Sequence, residues 1–148
     1  MSAAPFSVRL TDWQRDATAL RAVREAVFVV EQSIPASLEW DAADYASVHA
    51  LAQDASGHPL GCARLLADGH VGRVAVLREW RRRGVGNALM TAIIADARAR
   101  GHARLVLHSQ VHACAFYARL GFAPSGGVFD EAAIAHQAMV MSLQCPVP

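Results

Sequence analysis

Residues 73–90 read RVAVLREWRRRGVGNALM, an apolar run followed at once by three arginines and two glycines. The run is a strand, and a helix is expected to begin near Gly84. The first amides of a helix have no partner within it, and the helix dipole adds roughly half a positive charge there. Gly84 and Gly86 let the chain turn tightly and let a ligand reach those amides without meeting a Cβ. Arg81, Arg82 and Arg83 add forked donors suited to phosphate oxygens. The junction therefore reads as a site for a phosphate or pyrophosphate. It is neither GxxxxGK[ST] nor GxGxxG. Taken alone, Arg-x-x-Gly-x-Gly reads equally well as a helix start with solvated arginines.

Working outward, Phe6–Leu10 has the pattern of a strand, and Thr11 or Asp12 can cap a helix with Trp13, Ala17, Leu20 and Val27 on one face. Ser33-Ile34-Pro35 breaks that helix. Val48–Gln53, Leu60–Ala67 and His70–Leu77 form an antiparallel meander, turned at residues 54–59 and at Asp68-Gly69. In the following helix Val85, Leu89, Ala92, Ile93 and Ala97 share a face, and Gly101 closes it. Arg104–His108 is a strand, His112–Leu120 a helix, and Phe122 and Gln137–Leu143 seed two last strands. The order βαβββαβαββ predicts an α/β fold with a central mixed, mostly antiparallel sheet flanked by helices.

The 148 residues suit a single domain, 1–148, with an aliphatic core: 53% are hydrophobic and 7% aromatic. All 14 basic side chains are arginine, and the net charge is +1. So small a charge argues against general attraction to nucleic acid or to an acidic membrane. No apolar run is long enough to span a bilayer, and Met1–Leu10 lacks the pattern of a signal peptide. Cys62, Cys114 and Cys145 are an odd number without a CxxC pair, so a reducing cytoplasm is expected. Acidic residues cluster between Glu25 and Asp54 and arginines between Arg73 and Arg83, offering one region to a cation and another to an anion.

A second stretch narrows the reading. Residues 110–122, QVHACAFYARLGF, place Phe116-Tyr117 on a short helix that ends at Gly121 and returns as a strand. Together with Arg81-x-x-Gly84-x-Gly86, this resembles the GCN5-related N-acetyltransferase (GNAT) superfamily, from Val48 to Leu143. Within it the chain is similar to the bacterial ElaA and YjcF type. The match rests on residues 27–32 (VFVVEQ), on the spaced Glu39, Asp41, Asp44 and His49, on residues 110–122, and on residues 129–136 (FDEAAIAH). Many members of the wider superfamily carry asparagine where Gln110 stands, and glutamine there suits this subgroup. Ala133 departs from it, standing where the subgroup has glycine before Ile134.

The resemblance implies acetyl-CoA bound at the splay between the fourth and fifth strands, and no metal. Val74, Ala75 and Val76 would face the pantetheine arm. The amides from Arg82 through Arg83, Gly84, Val85, Gly86 and Asn87 to Ala88 would hold the pyrophosphate, with Arg81 and nearby arginines on the phosphates. Gln110 and Phe116 would line the far side. The reaction implied is N-acetylation of a primary amine by direct attack on the thioester. The backbone N–H of Val76 would stabilise the oxyanion, and Tyr117 would protonate the leaving thiolate. An unshifted tyrosine is already protonated at neutral pH. The general base stays open among Glu31, Glu39, Asp41, His49 and His136. Glu31, Glu39, His49 and His136 would form the acceptor wall. The acidic segment suits a small cationic amine, such as a polyamine or amino sugar, over a protein or peptide amine. A homodimer is compatible with the resemblance.

Other readings are weaker. His108-x-x-x-His112-x-Cys114 spans a strand end and a helix start, a poor metal triad. Cys114 as an acetyl-carrying nucleophile would need a lowered pKa, and a packed apolar thiol is the commoner state. Arg81-Arg82-Arg83 as a nucleic-acid contact lacks interleaved aromatics. An acyl-CoA sensor without turnover would share the glycine loop, and activity with an amine distinguishes it.

Overall fold

The structure, a computed structural model, describes residues 5–39 and 41–143, without the side chains of residues 38 and 39. Strand β1 (Phe6–Thr11) leads into helix α1 (Trp13–Arg24), a π-helical turn (Glu25–Glu31), the short α2 (Ala36–Glu39) and a 3-10 turn (Ala42–Ala46). Strands β2 (Val48–Asp54), β3 (Pro59–Leu65) and β4 (His70–Val76) form the meander. Then come α3 (Val85–Ala99), β5 (Arg104–Gln110), α4 (Cys114–Leu120) and the hairpin of β6 (Ala123–Glu131) and β7 (Ile134–Ser142). The seven strands make one mixed sheet ordered β1-β2-β3-β4-β5-β7-β6, in which only β4 and β5 run parallel. This is the fold expected from the sequence.

Helix boundaries follow local chemistry. The Asp12 carboxylate caps α1 by accepting from the Arg15 N–H at 2.8 Å. At the far end the helix widens instead of stopping, and the Gln32 N–H reaches back to the Val27 carbonyl at 3.1 Å. Helix α3 starts at Gly84 (φ 83°), where no side chain caps the open amides. Gly101 (φ 84°) ends it, with the His102 N–H closing on the Ala97 carbonyl.

Two cores sandwich the sheet. Leu89, Met90 and Ile93 of α3 pack with Ala50, Leu60 and Leu105 on one face, while Trp13, Leu20 and Val23 of α1 pack with Leu51, Cys62 and Ala75 on the other. Burying each large aliphatic side chain stabilises the fold by about 1.5–3 kcal/mol.

Strands β4 and β5 are joined only at His70↔Val106 and Val71↔Leu107. Just beyond, Arg73 takes a left-handed conformation (φ 50°), and the β3–β4 register shifts between Cys62 and Arg64. This bulge bends β4 away from β5 and opens the sheet. The Cys62 thiol donates to the Arg73 carbonyl at 3.3 Å, tying the bulge to β3.

The longest departure from expectation is β6, which runs from Ala123 through Ser125-Gly126-Gly127 to Glu131, where the sequence suggests only a strand seed at Phe122. Its register slips between Pro124 and Val128. Across the slip the Gln137 side chain donates to the carbonyls of Ser125 and Gly126, standing in for missing ladder bonds.

Candidate active site

A cleft of about 1060 Å³ fills the splay. Val74, Ala75 and Val76 line one side, the start of α3 (Gly84, Val85, Gly86, Asn87) its end, and Gln110, Phe116 and Tyr117 the other side. The Leu77 N–H donates to the Leu60 carbonyl at 2.8 Å, so by strand alternation the amides of Val76 and Val74 point away from β3, into the splay. A Cβ on Gly84 would meet nothing within 4 Å, so the approach to the α3 amides is open. A Cβ on Gly86 would lie 3.3 Å from Phe116 Cζ, which explains why the second position is glycine. Open amides, free strand edge and apolar side wall together fit an elongated molecule ending in phosphate.

Tyr117 is 8% exposed and packs edge-on against Phe116 and Phe122, with ring centroids 5.0 and 6.0 Å away. Burial, with a smaller contribution from nearby Cys114, pushes its hydroxyl pKa well above the ordinary tyrosine range. The hydroxyl is therefore held in its protonated form. The side-chain amides of Gln110 and Gln32 exchange hydrogen bonds of 2.8 and 3.2 Å, bridging β5 to the end of the π-helical turn.

The Acetyltransferase (GNAT) domain family matches residues 14–143. The chain belongs to the GNAT acetyltransferase family. It is 35% identical over 122 residues to YjcF of Bacillus subtilis, described as an uncharacterized N-acetyltransferase, covering 80% of this chain and 86% of that one. Among solved structures, Escherichia coli ElaA superposes with a TM-score of 0.83 at 26% identity, over 93% of this chain and all of ElaA (100%). An acyl-CoA N-acyltransferase from Pseudomonas aeruginosa gives a TM-score of 0.82 at 28% identity, over 93% of this chain and 100% of that one.

Several residues expected in this GNAT site have other work. Arg81 is not free for phosphate: its Nε donates to the Val76 carbonyl at 3.0 Å, and both terminal nitrogens reach Glu31 at 2.7 Å. It is a strut between the cleft edge and the π-helical turn. Glu31 is correspondingly not on the acceptor wall. Its hydrogen bonds to Arg81 hold its carboxyl below the usual range, and it borders a separate shallow depression with Arg78. Arg83 lies over the Trp80 ring at 5.0 Å and does not line the cleft, whereas Arg82 does. The Ala88 N–H is spent on the Gly84 carbonyl at 3.0 Å, which leaves the amides of Val85, Gly86 and Asn87 as the open set.

His49 is likewise absent from the cleft. It is 1% exposed, packs at a tilt against Trp13 with ring centroids 5.5 Å apart, and its Nε2 meets the Asp44 carbonyl at 2.9 Å. Asp44 lies in a buried fork, 2.8 Å from Arg24 Nη1 and 3.0 Å from Arg64 Nη1, and Asp41 pairs with Arg64 and Arg73. The acidic stretch is thus largely neutralised by arginines drawn from α1, β3 and β4, which removes the charge argument for a cationic acceptor. The Glu39 side chain lies outside the described residues, as does Cys145; Cys114 is a free thiol. His136 does line the cleft, its Nδ1 2.6 Å from the Ile134 carbonyl.

Sequence reasoning weighed His108 only as a metal ligand and missed its pairing with Glu131. The sheet brings the two together at the cleft: His108 Nδ1 lies 3.1 Å from Glu131 Oε1. They are 23 residues apart on strands joined only through β7, and no local pattern links them. Among the described residues, no three His, Cys, Asp or Glu side chains form a metal-binding group, and no helix is long and apolar enough to cross a membrane.

Proposed function

We propose that this GNAT protein transfers the acetyl group of acetyl-CoA to a primary amine by direct attack on the thioester. The observation that carries the reading is the uncapped start of α3 opening onto a cleft that also holds a buried, protonated Tyr117. The amides of Val85, Gly86 and Asn87, helped by Arg82, bind the pyrophosphate. The pantetheine arm pairs with the free edge of β4 at Val74 and Val76, against Ala75, Gln110 and Phe116. The Val74 N–H, the last on the free edge before the Arg73 bulge, stabilises the oxyanion in place of the Val76 N–H expected from the sequence. Tyr117 gives its proton to the departing thiolate. A small amine in a reducing cytoplasm remains the acceptor we favour, because among the described residues the cleft of about 1060 Å³ has little room for a macromolecule beside an elongated cofactor.

Calorimetric titration with acetyl-CoA, followed by thiol release across a panel of amines, tests the reading. Wild type is expected to bind acetyl-CoA and to release thiol with a subset of amines. Gly84→Glu places a carboxylate at the phosphate site and strains a left-handed position, so binding should fall by at least about tenfold. Tyr117→Phe should bind within about twofold of wild type and turn over about 10²-fold more slowly, the loss of one acid. Binding without turnover of any amine would favour an acyl-CoA sensor. No binding would overturn the assignment of the α3 junction.

A further inference from the structure

We propose that His108, held by Glu131, is the general base that takes the proton from the acceptor ammonium; the inference rests on the acetyl-transfer reading above. The first argument is position. With phosphate at the start of α3 and the arm running along β4 from Val76 toward Val74, the thioester end points at the bulge of Arg73, where the splay closes. The last parallel pair there is Val71↔Leu107, so His108 is the first residue of β5 released from β4. It lines the cleft with Glu131 and His136.

The second argument is the tautomer. A carboxylate offers only acceptors, so His108 Nδ1, 3.1 Å from Glu131 Oε1, carries the proton and donates it. That leaves the lone pair on Nε2, for which no partner exists among the described residues, and the side chain keeps 40% exposure, so the nitrogen can be reached. On the far side of the same carboxylate, His136 Nε2 stands 3.7 Å from Oε2, and His136 Nδ1 donates to the Ile134 carbonyl. The other groups around the ring are Phe129 at 5.1 Å and His70 at 6.2 Å, the latter backed by Asp68 at 3.1 Å. Among the charged groups of the described residues, Glu131 alone touches His108 directly, and it is placed to fix the ring and stabilise the imidazolium.

The step balances. The acceptor ammonium gives one proton to His108 Nε2, and the neutral nitrogen forms a C–N bond to the thioester carbon. The C–S bond breaks, and the thiolate takes the Tyr117 proton. The acylated nitrogen returns its extra proton to the Tyr117 phenolate, and His108 releases the first proton to water. One amide, one CoA thiol and one proton result.

Two measurements test the proposal. In His108→Ala, kcat/KM for the best amine should fall about 10²-fold or more while acetyl-CoA binding stays within about twofold, and added imidazole should restore at least about tenfold. Glu131→Gln should lower kcat with little change in acetyl-CoA affinity, as expected of a positioning residue. Nitrogen-15 NMR of the wild-type imidazoles, which needs no acceptor, should show His108 as the Nδ1–H tautomer with a bare Nε2. A His108→Ala enzyme within about threefold of wild type, loss that imidazole does not rescue, or an Nε2–H tautomer would each overturn it. If no amine is turned over by wild type, the acetyl-transfer reading fails instead, and the NMR result still decides whether the dyad exists.

Discussion

Ala132 and Ala133 both adopt left-handed conformations, with φ of 51° and 62°, in the turn between β6 and β7. Each Cβ crowds the following carbonyl there, at about 1–2 kcal/mol per residue. Two-residue turns of this hand favour Asn-Gly, and the ElaA/YjcF type has glycine where this chain has Ala133. Ala133→Gly should therefore stabilise the protein by about 0.5–1 kcal/mol after allowing for the looser unfolded chain. A thermal melt should move up by about 2–3 °C, and no rise would show the turn is not strained. At this scale the sequence was an uneven guide. That Gly84, Gly86, Phe116 and Tyr117 would meet at one cleft was legible because short motifs carry them. His49 and Glu31 were misassigned because their partners, Asp44 and Arg81, are chosen by tertiary packing. The His108–Glu131 pair was invisible for the same reason.

The elements themselves were largely legible, since hydrophobic period and turn residues are local signals. The meander, α3 and the β4–β5 crossover all follow from them. Strand β6 did not, because Ser125-Gly126-Gly127 reads as loop and its pairing depends on the Gln137 side chain. What sets the cleft is how closely α3 lies on β3. A Cβ on Gly61 would sit 3.0 Å from the Ala75 carbonyl, 3.0 Å from Leu89 Cδ1 and 3.1 Å from Val85 Cγ1. The carbonyl belongs to the strand and cannot step aside. Gly61→Ala should thus push α3 outward and cost about 1–3 kcal/mol. Thermal melts and acetyl-CoA titration check this together: both stability and affinity should drop, and a neutral result in both would mean the helix has slack.

Across the whole molecule, stability is tied to buried charge. Burial alone would raise the Asp44 carboxyl, but Arg24 and Arg64 hold it below the usual range. Hydrogen bonds from Arg9 and Arg81 act likewise on Asp16 and Glu31. A depressed carboxylate stabilises the fold above its unfolded pKa, about 4, and that contribution is lost as pH falls through its folded value. His49 adds to the effect at milder pH. Burial lowers its pKa, so the native imidazole stays neutral while the unfolded one takes a proton below about pH 6.5. Urea midpoints should be highest near neutrality, slip below about pH 6.5 and fall steeply below about pH 4. Asp44→Asn should lower the midpoint at pH 7 and soften the acid fall, since removing one member of a buried pair costs about 3–5 kcal/mol. A midpoint unchanged between pH 7 and 3.5 would rule out this account.

The bulge at Arg73 leaves the sheet as two leaves sewn by a pair of stitches, His70↔Val106 and Val71↔Leu107, with the Gln32–Gln110 clasp further along. Each leaf is continuous in sequence, β1 through α3 on one side and β5 through β7 on the other. The spine between them carries fewer strand pairings than any other junction of the described sheet, so slow breathing should take the form of a book opening along it. A guest that bonds to β4 while leaning on β5 supplies the missing stitches, so occupancy stiffens the whole sheet and the amides flanking the spine exchange more slowly once it is filled.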